Sequence, residues 1–591
     1  MKFGTQITGQ GVRFRLWAPD QQQIRVYLHD LSEAFEMAAR PRGWHEVTVP
    51  NAKPGMLYTF ALPNGQHVPD PASRFLPQDV EGPSEIIDPL AFEWSDRGWV
   101  GRPWEETILY ELHIGTFTEE GTFRAAIDKL DHLCALGVNT IELMPVADFN
   151  GRWNWGYDGA SLFAPDATYG RPEDMKAFVD AAHSKGLSVV LDVIYNHFGP
   201  KGNHLGTYAP LTNSDVPTPW GEAVNFDGDE AGMIRDLIMA NARYWLTEFH
   251  LDGLRFDAVH EIHDDGPRHI LMELAEQARA ATDGRHVHLV LENSLNQVNW
   301  LKRRETGAPW LYDAQWSDDI HHAIHAVLTN DPGSYYEDFI GRIDLVGRSL
   351  AEGVGWQGEF MQHQGHHKGE PSAFLPPTAF VHFMQNHDQV GNRPFGRRVS
   401  HQVSRDALRM WSAIVLLSPQ IPLLFMGEEW SASTPFLFFS DVGQDLADAI
   451  RTSRREELKN YHEAEEGELP DPMSKDSFLR SKLDWSETER GEHREMLAHY
   501  RALISSRTKA IVPRLHGMQG FSGQYMILDN RGIKVTWRLG DGSRLQIRAN
   551  LSAELLACPP NALGQTVWIE GEVAGDSLGP WAMDAHIIQA E

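Results

Sequence analysis

Cysteine is nearly absent: the 591 residues contain two, Cys134 and Cys558. A pair so far apart builds no disulfide framework and fits no zinc-ligand spacing. Positive charge is also short, with 52 Lys plus Arg against 82 Asp plus Glu and a formal net charge of −30. That balance argues against nucleic acid or an anionic membrane as the main partner and is compatible with a neutral sugar chain. No apolar stretch reads as a membrane span; the longest, Trp411 to Met426, is interrupted by Ser418, Pro419, Gln420 and Pro422. The opening MKFGTQITGQ lacks the apolar core of a secretory leader, so a cytoplasmic protein is the expectation. Internal repeats, low-complexity tracts and a glycine-rich phosphate turn are missing too, which disfavours a nucleotide-binding open sheet.

What is present is an ordinary globular composition, 42% hydrophobic and 23% charged, in a chain long enough for several domains. Nineteen Trp are many; their flat faces suit pyranose rings, although most are expected to pack core and interfaces. Residues 1–95 read as short alternating strands, such as VRFRLWAPD (12–20) and IRVYLHD (24–30), punctuated by turns. An immunoglobulin-like β-sandwich is expected there. A polar, Trp-rich connector over 94–105 follows.

From about 106 the texture changes to apolar runs alternating with helical stretches. The runs are ILYELHIGTF (108–117), VNTIELMPV (138–146), LSVVLDVIYN (187–196), GLRFDAV (253–259), HLVLEN (288–293), DAQW (313–316), AFVHFMQNH (379–387) and IPLLFMGEE (421–429). Helices are expected over 123–136 and over 172–185, the latter opened by Pro172 and closed at Gly186. Apolar strands alternating with helices mean a parallel sheet covered on both faces, and eight repeats close most naturally into a (β/α)8 TIM barrel spanning 96–511. The long segments 198–230 and 343–378 fall among the loops of the active-site face. The charged stretch 440–495 reads as a surface helical excursion, and 512–591 returns to short strands, a second β-sandwich.

Polar residues gather where the apolar runs end. The third run ends in Asp192, Asn196 and His197; the fourth carries Arg255 and Asp257 on one side of a strand; the fifth ends in Glu292; the seventh ends in Asn386, His387 and Asp388. Singly, Asp257 reads as a turn residue, Glu292 as a helix cap and His197 as a core histidine. Repeated together at strand ends they point to a site. Retaining glycoside hydrolysis needs two close carboxyls, one ionised as nucleophile and one protonated as acid. Arg255 beside Asp257 suits the first role, and Glu292 behind LVL suits the second. His197 and His387 suit hydrogen bonds to sugar hydroxyls.

The segments DVIYNH (192–197), GLRFDAVH (253–260), LVLENS (289–294) and FVHFMQNHD (380–388) resemble, in order and separation, the four signature regions of the α-amylase family of glycoside hydrolases. The resemblance implies Asp257 as nucleophile, Glu292 as acid/base and Asp388 as stabiliser of the transition state. It also implies that Asp192, His197, Arg255 and His387 line the subsite of the reacting glucose, with Tyr157 of WNWGYDG (153–159) as its stacking aromatic. The first domain is then similar to a carbohydrate-binding module. Asn196 resembles a calcium ligand of some members, but no Asp-rich loop accompanies it, so neither metal nor cofactor is expected.

Within the family, TPWGEAVNFDG (218–228), DAQWSDDIHH (313–322), QNHDQVGNR (385–393) and LLFMGEEWSASTPFLFF (423–439) are similar to the group that releases trehalose and a maltodextrin from malto-oligosyltrehalose. ENSLNQVNW (292–300) departs furthest from that pattern after the glutamate itself. Asp318, Asp319, Glu428 and Trp430, in the loops after the sixth and eighth strands, are expected to wall the trehalose subsites. Two other readings stand beside this one. Glycogen branching would use the same carboxylates with a sugar hydroxyl as acceptor. A non-catalytic glycan-binding relative would have lost carboxylates or gained a membrane anchor, and this sequence shows neither change.

Overall fold

The computed structural model describes residues 2–331, 333–560 and 564–589. Its centre is a closed barrel of eight parallel strands in sequential order. They are β1 (Leu109–Leu112), β2 (Thr140–Leu143), β3 (Ser188–Val193), β4 (Gly253–Phe256), β5 (His288–Leu291), β6 (Ala314–Trp316), β7 (Phe380–Phe383) and β8 (Ile421–Phe425). Every residue of these strands is buried, as their near-continuous apolar runs require of a sheet covered on both faces. Leu109 pairs with Leu423 to close the ring. Trp104, Leu109, Val290, Ala314, Trp316, Val381, Phe383, Ile421 and Leu423 form one inner cluster, so the barrel is a filled core and its chemistry is confined to the strand ends.

The helix Pro172–Ser184 forms as the sequence implies, with Pro172 at its start, where a missing N–H costs nothing. The helix expected over 123–136 is instead two short ones, Phe123–Ile127 and Leu130–Leu136. The Thr122 hydroxyl caps the first, and Gly137 ends the second at φ 102°, a left-handed conformation that suits glycine. The two long loops carry structure of their own. Thr212–Thr218 pairs with Gly221–Val224 after β3, and helix Ile343–Glu352 lies after β6.

Antiparallel sheets flank the barrel. Before it, Gln6–Thr8, Gly11–Trp17, Trp44–Val49 and Ala38–Arg40 form one sheet, and Glu33–Glu36, Arg25–Leu28, Leu57–Ala61 and His67–Val68 a second, to which Ser84–Glu85 adds by pairing with Leu57–Ala61. After it comes a five-stranded sheet running from Gly523–Leu528 to Gln565–Glu570, with a small three-stranded sheet beside it. The indole of Trp537 donates to Leu350 O (2.9 Å), tying this sheet to helix Ile343–Glu352. Among the described residues no helix is long and apolar enough to cross a membrane.

Trp411 to Met426 forms the end of helix Arg405–Leu417, a short turn and β8. The turn leaves carbonyls buried, and Arg507 of helix Gly491–Ala510 satisfies them. Its Nη1 donates to Leu416 O (3.1 Å) and Ser418 O (2.5 Å), and its Nη2 to Gln420 O (2.7 Å). Burial pushes the Arg507 pKa down to about 9. Replacing Arg507 by Leu strands these acceptors, so urea unfolding of that variant is expected to show a loss of about 2–4 kcal/mol. A loss within about 0.5 kcal/mol, the range of an ordinary surface change, would contradict the clamp.

Candidate active site

The ends of β3, β4 and β5 meet around one buried guanidinium. Arg255, 0% exposed, donates from Nη1 to Asp192 Oδ2 (2.7 Å) and to Asp257 Oδ1 (2.6 Å). Its Nη2 stands 4.0 Å from Glu292 Oε2. The guanidinium lies over the Trp316 ring at 4.3 Å, which supports the cation from the barrel side. After Asp257 the chain turns through Ala258 at φ 39°, a left-handed conformation that costs a non-glycine residue on the order of 1 kcal/mol. The turn aims the Ala258 N–H at Glu292 Oε2 (2.7 Å), so the two carboxyl groups are held by neighbouring donors.

Burial pushes the Glu292 carboxyl up to about 7; Arg255 opposes the rise, and Asp257 and Asp388 add to it. Asp192 rises to about 7 for the same first reason, with Arg255 again opposing and Asp257 contributing. His387 behaves oppositely. Burial alone would lower it, but the carboxylates of Asp388 and Glu111 raise it to about 9, so it carries a proton at neutral pH. Its Nε2 meets the Tyr157 hydroxyl at 2.8 Å, and that hydroxyl donates to Asp192 Oδ2 at 2.8 Å. The Tyr157 and His387 rings stack at 5.1 Å. His197 is nearly buried, its Nε2 donating to Tyr157 O (3.0 Å), and Trp220 from the hairpin turn stacks on it at 4.8 Å.

Glu292 and Asp388 open into a cavity of about 290 Å³ whose lining includes Asp318, Tyr335, Lys368 and Gln389. Asp388 is 44% exposed at its side chain and takes a hydrogen bond from Asn392 Nδ2 (3.0 Å). Burial, then the Glu292 charge, raises Asp318 to about 7. Asp318 thus faces the cavity. Asp319 does not: it is 0% exposed and lies behind the wall. Its Oδ2 accepts from Asn296 Nδ2 (2.8 Å), Gly355 N and Trp356 N (2.9 Å each), and its Oδ1 from Lys368 Nζ (2.9 Å).

Glu428 and Trp430 are not wall residues either. Both are buried against helix Gly491–Ala510 and its approach, Glu428 accepting from Tyr500 (3.0 Å) and Trp430 packing on Trp485 at 4.9 Å. The physical reason is that the segment after β8 folds back as a short 3-10 turn, Glu428–Trp430, under that helix. Sequence reasoning missed Glu111, which grips His387, and Lys368, brought in from 49 residues beyond Asp319. A glutamate inside the apolar run ILYELHIGTF was the available signal for the first. Lys368 sits in a polar loop and gave none. Both amide atoms of Asn196 are buried without a protein partner, and no group of three or more His, Cys, Asp or Glu suited to a metal occurs among the described residues.

Comparison with known proteins matches residues 87–207 to the alpha amylase catalytic domain and 2–89 to carbohydrate-binding module 48, the isoamylase N-terminal domain. Residues 520–583 match a domain of unknown function, DUF3459. The crystal structure of a Salmonella typhimurium protein assigned as an alpha amylase superposes with a TM-score of 0.95 at 42% identity, covering 99% of each chain. With the closed barrel and the carboxylates at its strand ends, these matches define the class: the chain is a glycosidase of the α-amylase family. A malto-oligosyltrehalose trehalohydrolase of Deinococcus radiodurans is 40% identical over 554 residues, 91% of this chain and 89% of its own. A 1,4-alpha-glucan branching enzyme of Vibrio cholerae is 34% identical over only 275 residues, 42% of this chain and 37% of its own. Within the class, the chain belongs to the malto-oligosyltrehalose trehalohydrolase family.

The different settings of Asp319 and Glu428 predict different mutational costs. Asp319→Asn turns an amide toward buried Lys368 and should lower stability to urea by about 3 kcal/mol or more. Glu428, raised to about 8 chiefly by burial, is largely protonated at neutral pH. Glu428→Gln should therefore cost less than about 1 kcal/mol. Equal losses in the two variants would overturn this assignment.

Proposed function

We propose that the chain hydrolyses the α-1,4 bond next to the terminal trehalose of malto-oligosyltrehalose, releasing trehalose and a maltodextrin. The observation that carries the reading is the pair of unlike carboxyls sharing Arg255: Asp257 in direct contact with the cation, and Glu292 further off with its pKa raised to about 7. Asp257 attacks the anomeric carbon as Glu292 gives its proton to the departing glycosidic oxygen, so trehalose leaves and the maltodextrin stays as an ester on Asp257. Glu292, now ionised, takes a proton from water, which attacks the same carbon and frees the maltodextrin. Asp388 and His387 hold hydroxyls of the reacting glucose, His197 and Tyr157 line its subsite, and Asp192 keeps Arg255 in place.

Trehalose, bent at its 1,1 linkage, needs leaving-group subsites that a continuing α-1,4 chain cannot fill. The cavity beside Glu292 offers Asp318, Lys368 and Gln389 for its hydroxyls. Polar groups left unpaired by the wrong sugar discriminate more strongly than a change in apolar volume. The free thiols of Cys134 and Cys558 fit work in a reducing cytoplasm.

The test is kcat/KM on malto-oligosyltrehalose and on a plain maltodextrin of equal length, with products identified. Trehalose release preferred by at least about tenfold is expected, with kcat/KM falling as pH rises through about 7 because the acid form of Glu292 is lost. Comparable efficiency on both substrates, or maltose from the trehalose-capped one, would reject the reading. New branch points in the product would favour the branching alternative.

A further inference from the structure

Two carboxyl groups lie side by side in the barrel below the site, and the reaction just described uses neither. Glu111 of β1 and Glu142 of β2 are register partners, each 1% exposed. Their hydrogen bonding is unequal. Glu111 Oε1 accepts from His387 Nδ1 (2.5 Å) and its Oε2 from the His387 backbone N–H (3.1 Å). Both oxygens of Glu142 are buried with no hydrogen-bond partner. A buried carboxylate without donors is costly, whereas one with two donors is stabilised, so of the pair Glu142 is the member kept neutral. Burial, then the Glu111 charge, pushes Glu142 well above the usual carboxylate range.

We infer that Glu111 is a positioning residue for the reaction: its two-point grip fixes the His387 ring as an imidazolium whose Nε2–H is presented to Tyr157 and Asp388 at the sugar site. The rings and carboxylate around it fit that assignment. Tyr157 stacks on the ring, Trp155 meets it edge-on at 5.5 Å, and Trp316 lies at 6.1 Å. Asp388 Oδ1 stands 3.5 Å from Nε2. Arg255 opposes a second cation here, and it is already paired with Asp192 and Asp257. His113, beyond β1, is pushed down to about 3 by burial and adds no charge. Without the Glu111 carboxylate, the imidazolium gives up its Nδ1 proton near neutral pH, and the ring is left as a neutral Nε2–H donor.

The test compares wild type, Glu111→Gln and Glu142→Gln by two readouts. One is the titration of His387, followed by NMR in histidine-labelled protein and assigned against His387→Gln; it stands whatever the substrate. The other is kcat, resting on the function proposed above; if wild type released no trehalose, it would be followed on whichever maltodextrin the protein cleaves. The wild-type midpoint should lie above about 8 and fall by at least about one unit in Glu111→Gln, while Glu142→Gln leaves it in place. Glu111→Gln should keep near-normal kcat at pH 5.5, where the ring is protonated anyway, and lose about tenfold or more at pH 8. Folding of each variant is checked by circular dichroism. If Glu111→Gln does not fold, Glu111→Asp and the wild-type titration decide, since Asp keeps the charge and should keep the high midpoint. An equal loss at both pH values, an unmoved midpoint in Glu111→Gln, a wild-type midpoint below about 7.5, or a shift in Glu142→Gln as large as in Glu111→Gln would overturn the proposal.

Discussion

A guanidinium taken out of water must be matched by anions and hydrogen-bond acceptors or it destabilises the fold by several kcal/mol. Arg255 sets that condition here, and the geometry of the site follows from it. Its partners come from the ends of three successive strands, so the barrel must close with β3, β4 and β5 in register for Asp192, Asp257 and Glu292 to meet one cation. The same cation meets those carboxyls at unlike distances. Asp192 and Asp257 both accept directly from it, whereas Glu292 stands at arm's length and is raised to about 7 chiefly by burial. Asp257 lies 2.6 Å from Nη1 and Glu292 4.0 Å from Nη2, and the two roles proposed for them rest on that difference in setting.

A second charge arrangement sits below the first. His387 and Glu111 form a buried ion pair that reaches Arg255's circle through Tyr157 and Asp192. The hydrogen-bonded chain runs from Glu111 on β1 through His387, Tyr157 and Asp192 to Arg255 on β4. The loops complete the site differently. The hairpin after β3 lays Trp220 on His197, and the long excursion after β6 returns Lys368 to Asp319 behind the cavity wall.

The barrel was legible because each strand lies in a mostly apolar run of the right length, and all eight runs quoted from the sequence contain an observed strand. The grouping of Asp192, Arg255, Asp257 and Glu292 was legible for the same reason: a parallel strand that ends in charge must bring that charge to one face of the barrel. Loop residues were not legible in this way. Asp318 and Asp319 are adjacent in sequence, yet helix geometry turns one to the cavity and the other to four buried donors. Glu428 and Trp430 follow a barrel strand, as Glu292 does, but a tight turn sends them under helix Gly491–Ala510, and no local pattern distinguishes the two outcomes. Glu111 and Glu142 were hidden inside strands whose apolar neighbours dominated their reading.

Of the two carboxylates bound to Arg255, Asp257 and not Asp192 is the one proposed to become the covalent partner of the sugar. That central claim is tested most directly by incubating the protein with a slow fluorinated α-glucosyl fluoride, digesting it, and locating the glycosyl group by peptide mass spectrometry. A single label on Asp257, lost on prolonged incubation with water, is expected. A stable label on Asp192, Glu292 or Asp388, or full turnover with no trapped ester, would contradict it.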